Sequence, residues 1–203
     1  MRQDQEAGHL MPAQVKRTLF LLWPRSRLTD PPKIRLPQGY TLRCYQPGDE
    51  ATWRTIQNAA EPVQPGVDLD ELCKTYLSCL LPNGLFFAIH LATGDAVATA
   101  GALHNTRDGM FPFGGELGWV ATIPAHQSKG LGMVVSAAAT RRLIAAEYEN
   151  IRVGTQDHRL PAIKLYLRLG YVPYLYATDM TERWRQICTE LDWPYAPEEC
   201  VPG

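Results

Sequence analysis

The chain has 203 residues, which is one domain and a fraction at about 150 residues per domain. Its 20 Lys and Arg residues are balanced by 21 Asp and Glu residues, so the formal net charge is −1. This balance argues against a nucleic-acid binder or a polybasic membrane-surface protein, and a hydrophobic content of 45% argues against wholesale disorder.

Residues 1–39 are predicted to form an irregular N-terminal arm, because prolines interrupt them repeatedly. Residues 1–14 have the character of a disordered tail, and the apolar run TLFLLW at positions 18–23 predicts one short strand. The basic pair Lys16 and Arg17 before this run is typical of a signal peptide. The run is nevertheless shorter than the ~7 residues that a signal peptide needs, and no run approaches the ~18 residues of a membrane span.

A regular pattern begins at Tyr40, and residues 40–203 are predicted to form a single domain that ends in a helix. Apolar runs between turn residues predict strands at 40–45, 85–91, 96–103, 114–123, 151–155 and 171–176. Apolar periodicity and capping residues predict helices at 49–60, 68–80, 130–148, 160–169 and 181–191. Pro82, Asn83 and Gly84 are expected to end the second helix. This order of elements predicts the α+β class with a mixed sheet.

The most informative segment is the loop between the strand at 114–123 and the helix at 130–148. Gly130 and Gly132 open this helix, where free N–H groups and small residues create an anion site. A nucleotide-binding P-loop does not fit, because Gly130 follows Lys129 instead of preceding it. A dinucleotide fingerprint does not fit either, because Val135 stands where a third small residue is required.

The loop QSKGLG at 127–132 resembles the Q/R-x-x-G-x-G/A pyrophosphate loop of the GNAT family of N-acetyltransferases. The preceding strand GWVATIP is similar to the family's strand, and AIKLYLRLGYVP at 162–173 is similar to the family's motif A-I-x-L-Y-x-x-x-G-F/Y. The resemblance extends over roughly two thirds of the chain. It implies a layered fold in which helices flank a mixed, mostly antiparallel sheet, with a V-shaped splay between two central strands.

The resemblance also implies that the cosubstrate is acetyl-CoA and that no metal is used. Its pantetheine arm would pair with the exposed backbone of Val120, Ala121 and Thr122 beyond a bulge, and one N–H near Val120 would polarise the thioester carbonyl. The pyrophosphate would be held by the loop residues Gln127, Ser128, Lys129, Gly130, Leu131 and Gly132, with Met133 close by. Arg159 replaces an asparagine that many family members use to hold the pantetheine arm, so it either substitutes for that contact or loses it.

Two residues are candidates for proton transfer. Tyr166 occupies the family's tyrosine position, where it would contact the cofactor and protonate the leaving thiolate. Glu116 lies six residues before Thr122 on the same face of the predicted strand, and it is the candidate base that deprotonates the amine. His90, His104 or a chain of water molecules are alternatives for that role.

The predicted function is acetyl-CoA-dependent transfer of an acetyl group to a primary amine of a small molecule or peptide by direct attack. The alternative is a non-catalytic coenzyme A-binding module that acts as a sensor or interaction domain. Loops 61–70 and 111–115 are expected to select the acceptor. The expected partners are the thioester and the amine, without nucleic acid or membrane, and a homodimer through the arm or a sheet edge is possible. Five scattered cysteines predict reduced thiols and a cytoplasmic setting.

Overall fold

A computed structural model describes residues 17–60, 68–105 and 113–203. The strands are β1 (Leu19–Leu22), β2 (Tyr40–Cys44), β3 (Leu80–His90), β4 (Ala96–Asn105), β5 (Gly114–Thr122), β6 (Ile151–Thr155), β7 (Val172–Leu175) and β8 (Val201–Pro202). The helices are α1 (Glu50–Ala60), α2 (Leu69–Ser78), α3 (Leu131–Ala145), α4 (Leu160–Leu169) and α5 (Met180–Glu190). The tail expected at residues 1–14 lies outside the described residues.

The strands form one sheet in the order β2-β3-β4-β5-β6-β1-β7-β8. Neighbouring strands are antiparallel, except that β5 runs parallel to β6 and β7 runs parallel to β8. This arrangement, with helices packed on the sheet, confirms the predicted α+β class and the mostly antiparallel sheet. Within the described ranges, no helix has the length and apolar character needed to cross a bilayer.

Strand β1 lies inside the sheet, although the sequence assigns it to an N-terminal arm. It pairs antiparallel with β6 from Leu19 opposite Thr155, and with β7 at Leu22 opposite Val172. The side chains of Leu19 and Leu21 are fully buried. The apolar run at 18–23 is therefore a central strand that joins β6 to β7.

The helices cover the two faces of the sheet with separate apolar clusters. On one face, α3, α4 and α5 contribute Leu131, Val135, Leu143, Ile163, Tyr166 and Trp184 to the larger cluster. On the other face, α1 and α2 contribute Trp53, Ile56, Cys73 and Tyr76. The consecutive alanines at 137–139 are buried, and their small side chains let α3 lie close to the sheet.

The segment Pro82–Gly84 does not simply end α2, contrary to the sequence prediction. Strand β3 begins at Leu80 and includes this segment as an irregularity, because its pairing jumps from Leu80 opposite Leu103 to Leu85 opposite Gly101. Asn83 takes a left-handed conformation with φ of 54°. A bulge accommodates Pro82 in the strand, since proline has no N–H to donate to a regular ladder.

Candidate active site

The centre of the sheet opens between β5 and β6. Their parallel register consists of Gly115 opposite Ile151 and Glu116 opposite Arg152. Strand β5 continues for six further residues to Thr122, still paired with β4. The two strands therefore part beyond Glu116, which confirms the predicted V-shaped splay and exposes one edge of β5.

A bulge interrupts β5 within this exposed stretch. The register with β4 passes from Gly118 opposite Gly101 to Ala121 opposite Thr99, so Trp119 and Val120 together face Ala100. Trp119 has φ of 54°, a left-handed conformation that is uncommon for a bulky residue. The bulge lies directly before Ala121 and Thr122 and includes Val120, which the family resemblance places just beyond a bulge.

The loop that follows β5 leads into an uncapped helix. Ser128 has φ of 59° and Gly130 has φ of 81°, and Gly130 is the N-cap of α3. Among the residues that the structure describes, no side chain caps this end, and the first turn of α3 carries no acidic residue. The first-turn N–H groups therefore face an exposed loop with an electrostatic preference for an anion.

Several side chains brace this loop from within. The Gln127 Nε2 donates to the Thr122 carbonyl at 3.2 Å, and the Lys129 Nζ donates to the Ala125 carbonyl at 3.1 Å. Leu131 is buried in the core, and Met133 packs partly against it. A Cβ on Gly132 would lie 2.7 Å from the Leu165 Cδ1 atom, so Gly132 also allows α3 to pack closely on α4.

Tyr166 lies on α4 with only 6% of its surface exposed. Burial raises the pKa of its hydroxyl to about 12, and the Arg159 guanidinium at the N-cap of α4 opposes part of that rise. A phenol with this pKa stays protonated through the neutral range and can donate its proton. Arg159 is exposed, and the coulombic effect of its positive charge favours ionisation of Tyr166.

Glu116 and Tyr166 lie on opposite faces of the sheet. Leu117 packs in the cluster that contains Tyr166, and the side chain of Glu116 points to the other face because neighbouring strand residues alternate. The Glu116 Oε2 lies 3.0 Å from the Arg152 Nη2, with 24% of the Glu116 side chain and 1% of the Arg152 side chain exposed. The opening between β5 and β6 is the place where groups from both faces can approach one ligand.

The histidines proposed as alternative bases have other contacts. The His104 Nδ1 lies 2.6 Å from the Tyr148 hydroxyl. The rings of His90 and His126 lie 4.9 Å apart, beside the Tyr40 hydroxyl, which is 2.8 Å from the His126 Nδ1. Burial, Lys129 and His90 lower the pKa of His126, and Asp95 opposes them. Of the loops expected to select the acceptor, 61–70 and 111–115, residues 61–67 and 111–112 lie outside the described residues.

Three residues that shape the site, Arg152, Gln57 and Trp119, were not predicted from the sequence. Arg152 could have been noticed as a lone charge in the short strand IRVGT, a pattern that indicates a buried ion pair. Gln57 on α1 donates its Nε2 to the Trp119 carbonyl at 2.9 Å, and the Trp119 ring contacts Trp53 and Tyr76. No sequence signal distinguishes Gln57 from other polar helix residues.

All five cysteines are free thiols. Among the described residues, no group of three or more His, Cys, Asp and Glu side chains has an arrangement that would hold a metal ion.

This chain is similar in sequence to proteins of one enzyme family. A model of the acetyltransferase (GNAT) family matches residues 51–171. A mycothiol acetyltransferase from Nocardia farcinica is 32% identical over 182 residues, which cover 84% of this chain and 59% of that protein. The chain spans about half the length of the curated relatives it matches.

Solved structures support the same fold. A GCN5-related N-acetyltransferase from Sphaerobacter thermophilus has a TM-score of 0.59 at 19% identity, covering 77% of this chain and 49% of that one. The structure of AAC(6')-Iy with the bisubstrate analogue CoA-S-monomethyl-acetylneamine has a TM-score of 0.50 at 19% identity, covering 64% of this chain and 89% of that one. At these identities the likeness concerns the fold alone.

Proposed function

Because the chain belongs to the GNAT acetyltransferase family, we propose that it is an acetyl-CoA-dependent N-acetyltransferase that acts on a primary amine by direct attack. The observation that carries this proposal is the exposed edge of β5 leading into the uncapped N-terminus of α3. An amide-containing arm fits a strand edge, and a pyrophosphate fits a helix N-terminus. The two features are consecutive in the chain, as one extended ligand requires.

The residues that would hold acetyl-CoA follow from this placement. The backbone of Val120, Ala121 and Thr122 would pair with the pantetheine arm. The pyrophosphate would be bound by residues 127–132, with Met133 beside them. Arg159, at the exposed N-cap of α4, would supply a cationic contact where many relatives carry asparagine.

Acetyl-CoA supplies an acetyl group activated as a thioester, and the protein supplies proton transfer and orientation. The amine nitrogen attacks the carbonyl carbon, and the carbon–sulfur bond breaks. Tyr166 would donate its hydroxyl proton to the departing sulfur, because a phenol is protonated in the neutral range and the thiolate gains a proton as the carbon–sulfur bond breaks. Glu116 would accept the proton that the amine loses, directly or through water, while Arg152 holds one of its oxygens.

The acceptor is proposed to be a small molecule or a peptide amine. Several relatives are named mycothiol acetyltransferase. The acceptor that those enzymes acetylate is therefore the first compound to test. Five free cysteines are consistent with a reducing, cytoplasmic setting. Because both sides of β1 are paired within the chain, a homodimer would form through a sheet edge and not through this strand.

The test is release of free coenzyme A thiol from acetyl-CoA in the presence of a panel of amines. We expect release that depends on the amine and yields equal amounts of thiol and acetylated amine. Calorimetry with coenzyme A runs in parallel. Tight binding of coenzyme A without turnover of any amine would favour the alternative of a non-catalytic sensor or interaction module, and absence of binding would contradict both.

A further inference from the structure

Helix α1 holds the bulge of β5 at two points. The Gln57 Nε2 donates to the Trp119 carbonyl at 2.9 Å, and the Trp53 ring lies 5.4 Å from the Trp119 ring in an edge-to-face contact. Gln57 and Trp53 are four residues apart, so they lie on the same side of the helix. Trp53 is buried, which anchors α1 firmly beside the bulge.

The hydrogen bond from Gln57 fixes the orientation of one particular peptide unit. The carbonyl of Trp119 and the N–H of Val120 belong to the same planar trans peptide, so they point in opposite directions. A bulge residue lacks the regular ladder that normally sets this orientation, and Trp119 has the uncommon φ of 54°. With its carbonyl held by α1, this peptide presents the Val120 N–H on the side away from α1.

We propose that Gln57 is a positioning residue for catalysis, which aims the Val120 N–H at the thioester carbonyl oxygen. This inference rests on the proposed function, in which an N–H near Val120 polarises that carbonyl. Negative charge grows on the oxygen as the amine attacks, and a donor that is already oriented stabilises it without reorganisation. Gln57 does not touch the substrate and acts only through the Trp119–Val120 peptide.

The expected effect is smaller than the loss of a direct donor, which costs about 10²- to 10³-fold in kcat. Because Gln57→Met keeps the length of the side chain but removes its N–H donor, the peptide should lose its preferred orientation without losing its N–H. We expect kcat to fall about tenfold, with the affinity for acetyl-CoA changing less than about twofold. Asn58→Met, at the adjacent exposed position of α1, is the matched control.

Infrared spectroscopy of bound acetyl-CoA, labelled with carbon-13 at the carbonyl, tests the inference without relying on turnover. A hydrogen bond to the thioester oxygen lowers the carbonyl stretching frequency. We expect a lowered frequency in the wild type and in Asn58→Met, and a return toward the free value in Gln57→Met. If the carbonyl frequency in Gln57→Met is as low as in the wild type, the proposed role of Gln57 is wrong. A wild-type frequency equal to that of free acetyl-CoA would instead contradict the proposed binding of the thioester.

A second variant separates the hydrogen bond from simple packing. In Gln57→Glu the side chain can donate only when its carboxyl group is protonated. The activity of Gln57→Glu relative to the wild type should therefore rise as the pH falls from 6 to 4, through the usual glutamate pKa of about 4.3, whereas the relative activity of Gln57→Met should stay constant. Parallel profiles for the two variants would mean that Gln57 acts by filling space, and the inference would be wrong.

Discussion

The guanidinium of Arg152 lies 3.0 Å from the carboxylate of Glu116, at the last register pair before β5 and β6 separate. Arg152 is fully buried on the strand of five residues that forms the other arm of the opening. The candidate base is thus fixed at the vertex of the splay. Its geometry depends on a charged partner whose own position is set by the core.

Glu116→Gln should affect both stability and activity. Without the carboxylate, the buried positive charge of Arg152 loses the negative charge beside it. The free energy of unfolding, measured by urea denaturation, should therefore fall by about 3 kcal/mol. In the folded variant the loss of activity should shrink as the pH rises, because alkaline solution supplies neutral amine without a base. A deficit that stays constant across the pH range would indicate that Glu116 is structural.

The double variant Glu116→Gln with Arg152→Met is the control for the stability effect. Removing both charges should restore much of the lost stability, since a buried pair replaced by neutral groups is often nearly neutral in free energy. The double variant still lacks the carboxylate that would accept the proton, so its activity should stay low. Recovery of activity together with stability would argue against Glu116 as the proton acceptor.

Tyr166→Phe should lower kcat by about 10²-fold while leaving the Kd of acetyl-CoA nearly unchanged. The substitution keeps the buried ring and removes only the hydroxyl that would protonate the leaving thiolate. Stopped-flow thiol release and calorimetry measure the two quantities separately. Tyr171→Phe removes another buried hydroxyl, which contacts Thr140 at 2.9 Å, and it should leave kcat near the wild-type value. Equal losses in both variants would point to a packing effect.

Stability should fall as the pH rises above 10. Burial raises the pKa values of Tyr76, Tyr166 and Tyr171 in the folded protein, so above pH 10 these phenols ionise in the unfolded chain first. Their contribution is fully present below pH 10 and is lost as the pH rises toward the folded pKa, at about 1.4 kcal/mol per pH unit for each group. Urea denaturation from pH 8 to 11.5 measures the free energy of unfolding at each pH. In Tyr166→Phe this free energy should fall less steeply above pH 10, by about 1.4 kcal/mol per pH unit. An unchanged slope would contradict the burial of this hydroxyl.

Ser128→Asp should weaken binding of coenzyme A at least about tenfold, or ~1.4 kcal/mol, because it places a carboxylate in the loop proposed to hold the pyrophosphate. The left-handed backbone at Ser128 tolerates aspartate and asparagine better than most residues. Ser128→Asn therefore has a similar size and backbone preference without the charge, and it should bind within about twofold of the wild type. Isothermal calorimetry at low salt compares the affinities of the two variants for coenzyme A. Equal affinities would mean that the pyrophosphate does not bind at this loop.

The sequence predicted most elements of the fold because their signals are local. Helix α4 is predicted with its observed bounds, since Pro161 opens it and Gly170, with φ of 117°, ends it. Strand β6 is predicted in full as a short apolar run. The irregular start of β3 was missed because proline and glycine favour a break, and only pairing with β4 shows that the chain continues as a strand.

The candidate site was predictable where a motif fixes the backbone, and not where side chains from distant elements meet. The loop at 127–132 could be located from its glycines and the helix that follows. The pair of Glu116 and Arg152 depends on which strands are neighbours in the sheet, and the contact of Gln57 with Trp119 joins residues 62 positions apart. Neither pairing leaves a periodic trace in the sequence.

The central position of β1 has a consequence for the order of folding. Leu19 pairs with Thr155, and Leu22 with Val172, so β1 leaves the ribosome long before the two strands that it pairs with. Contacts of such long sequence separation close late and slow the folding of a domain. Until then, the leucines of β1 stay exposed to other chains, and a nascent protein of this kind would benefit from a chaperone that covers this segment.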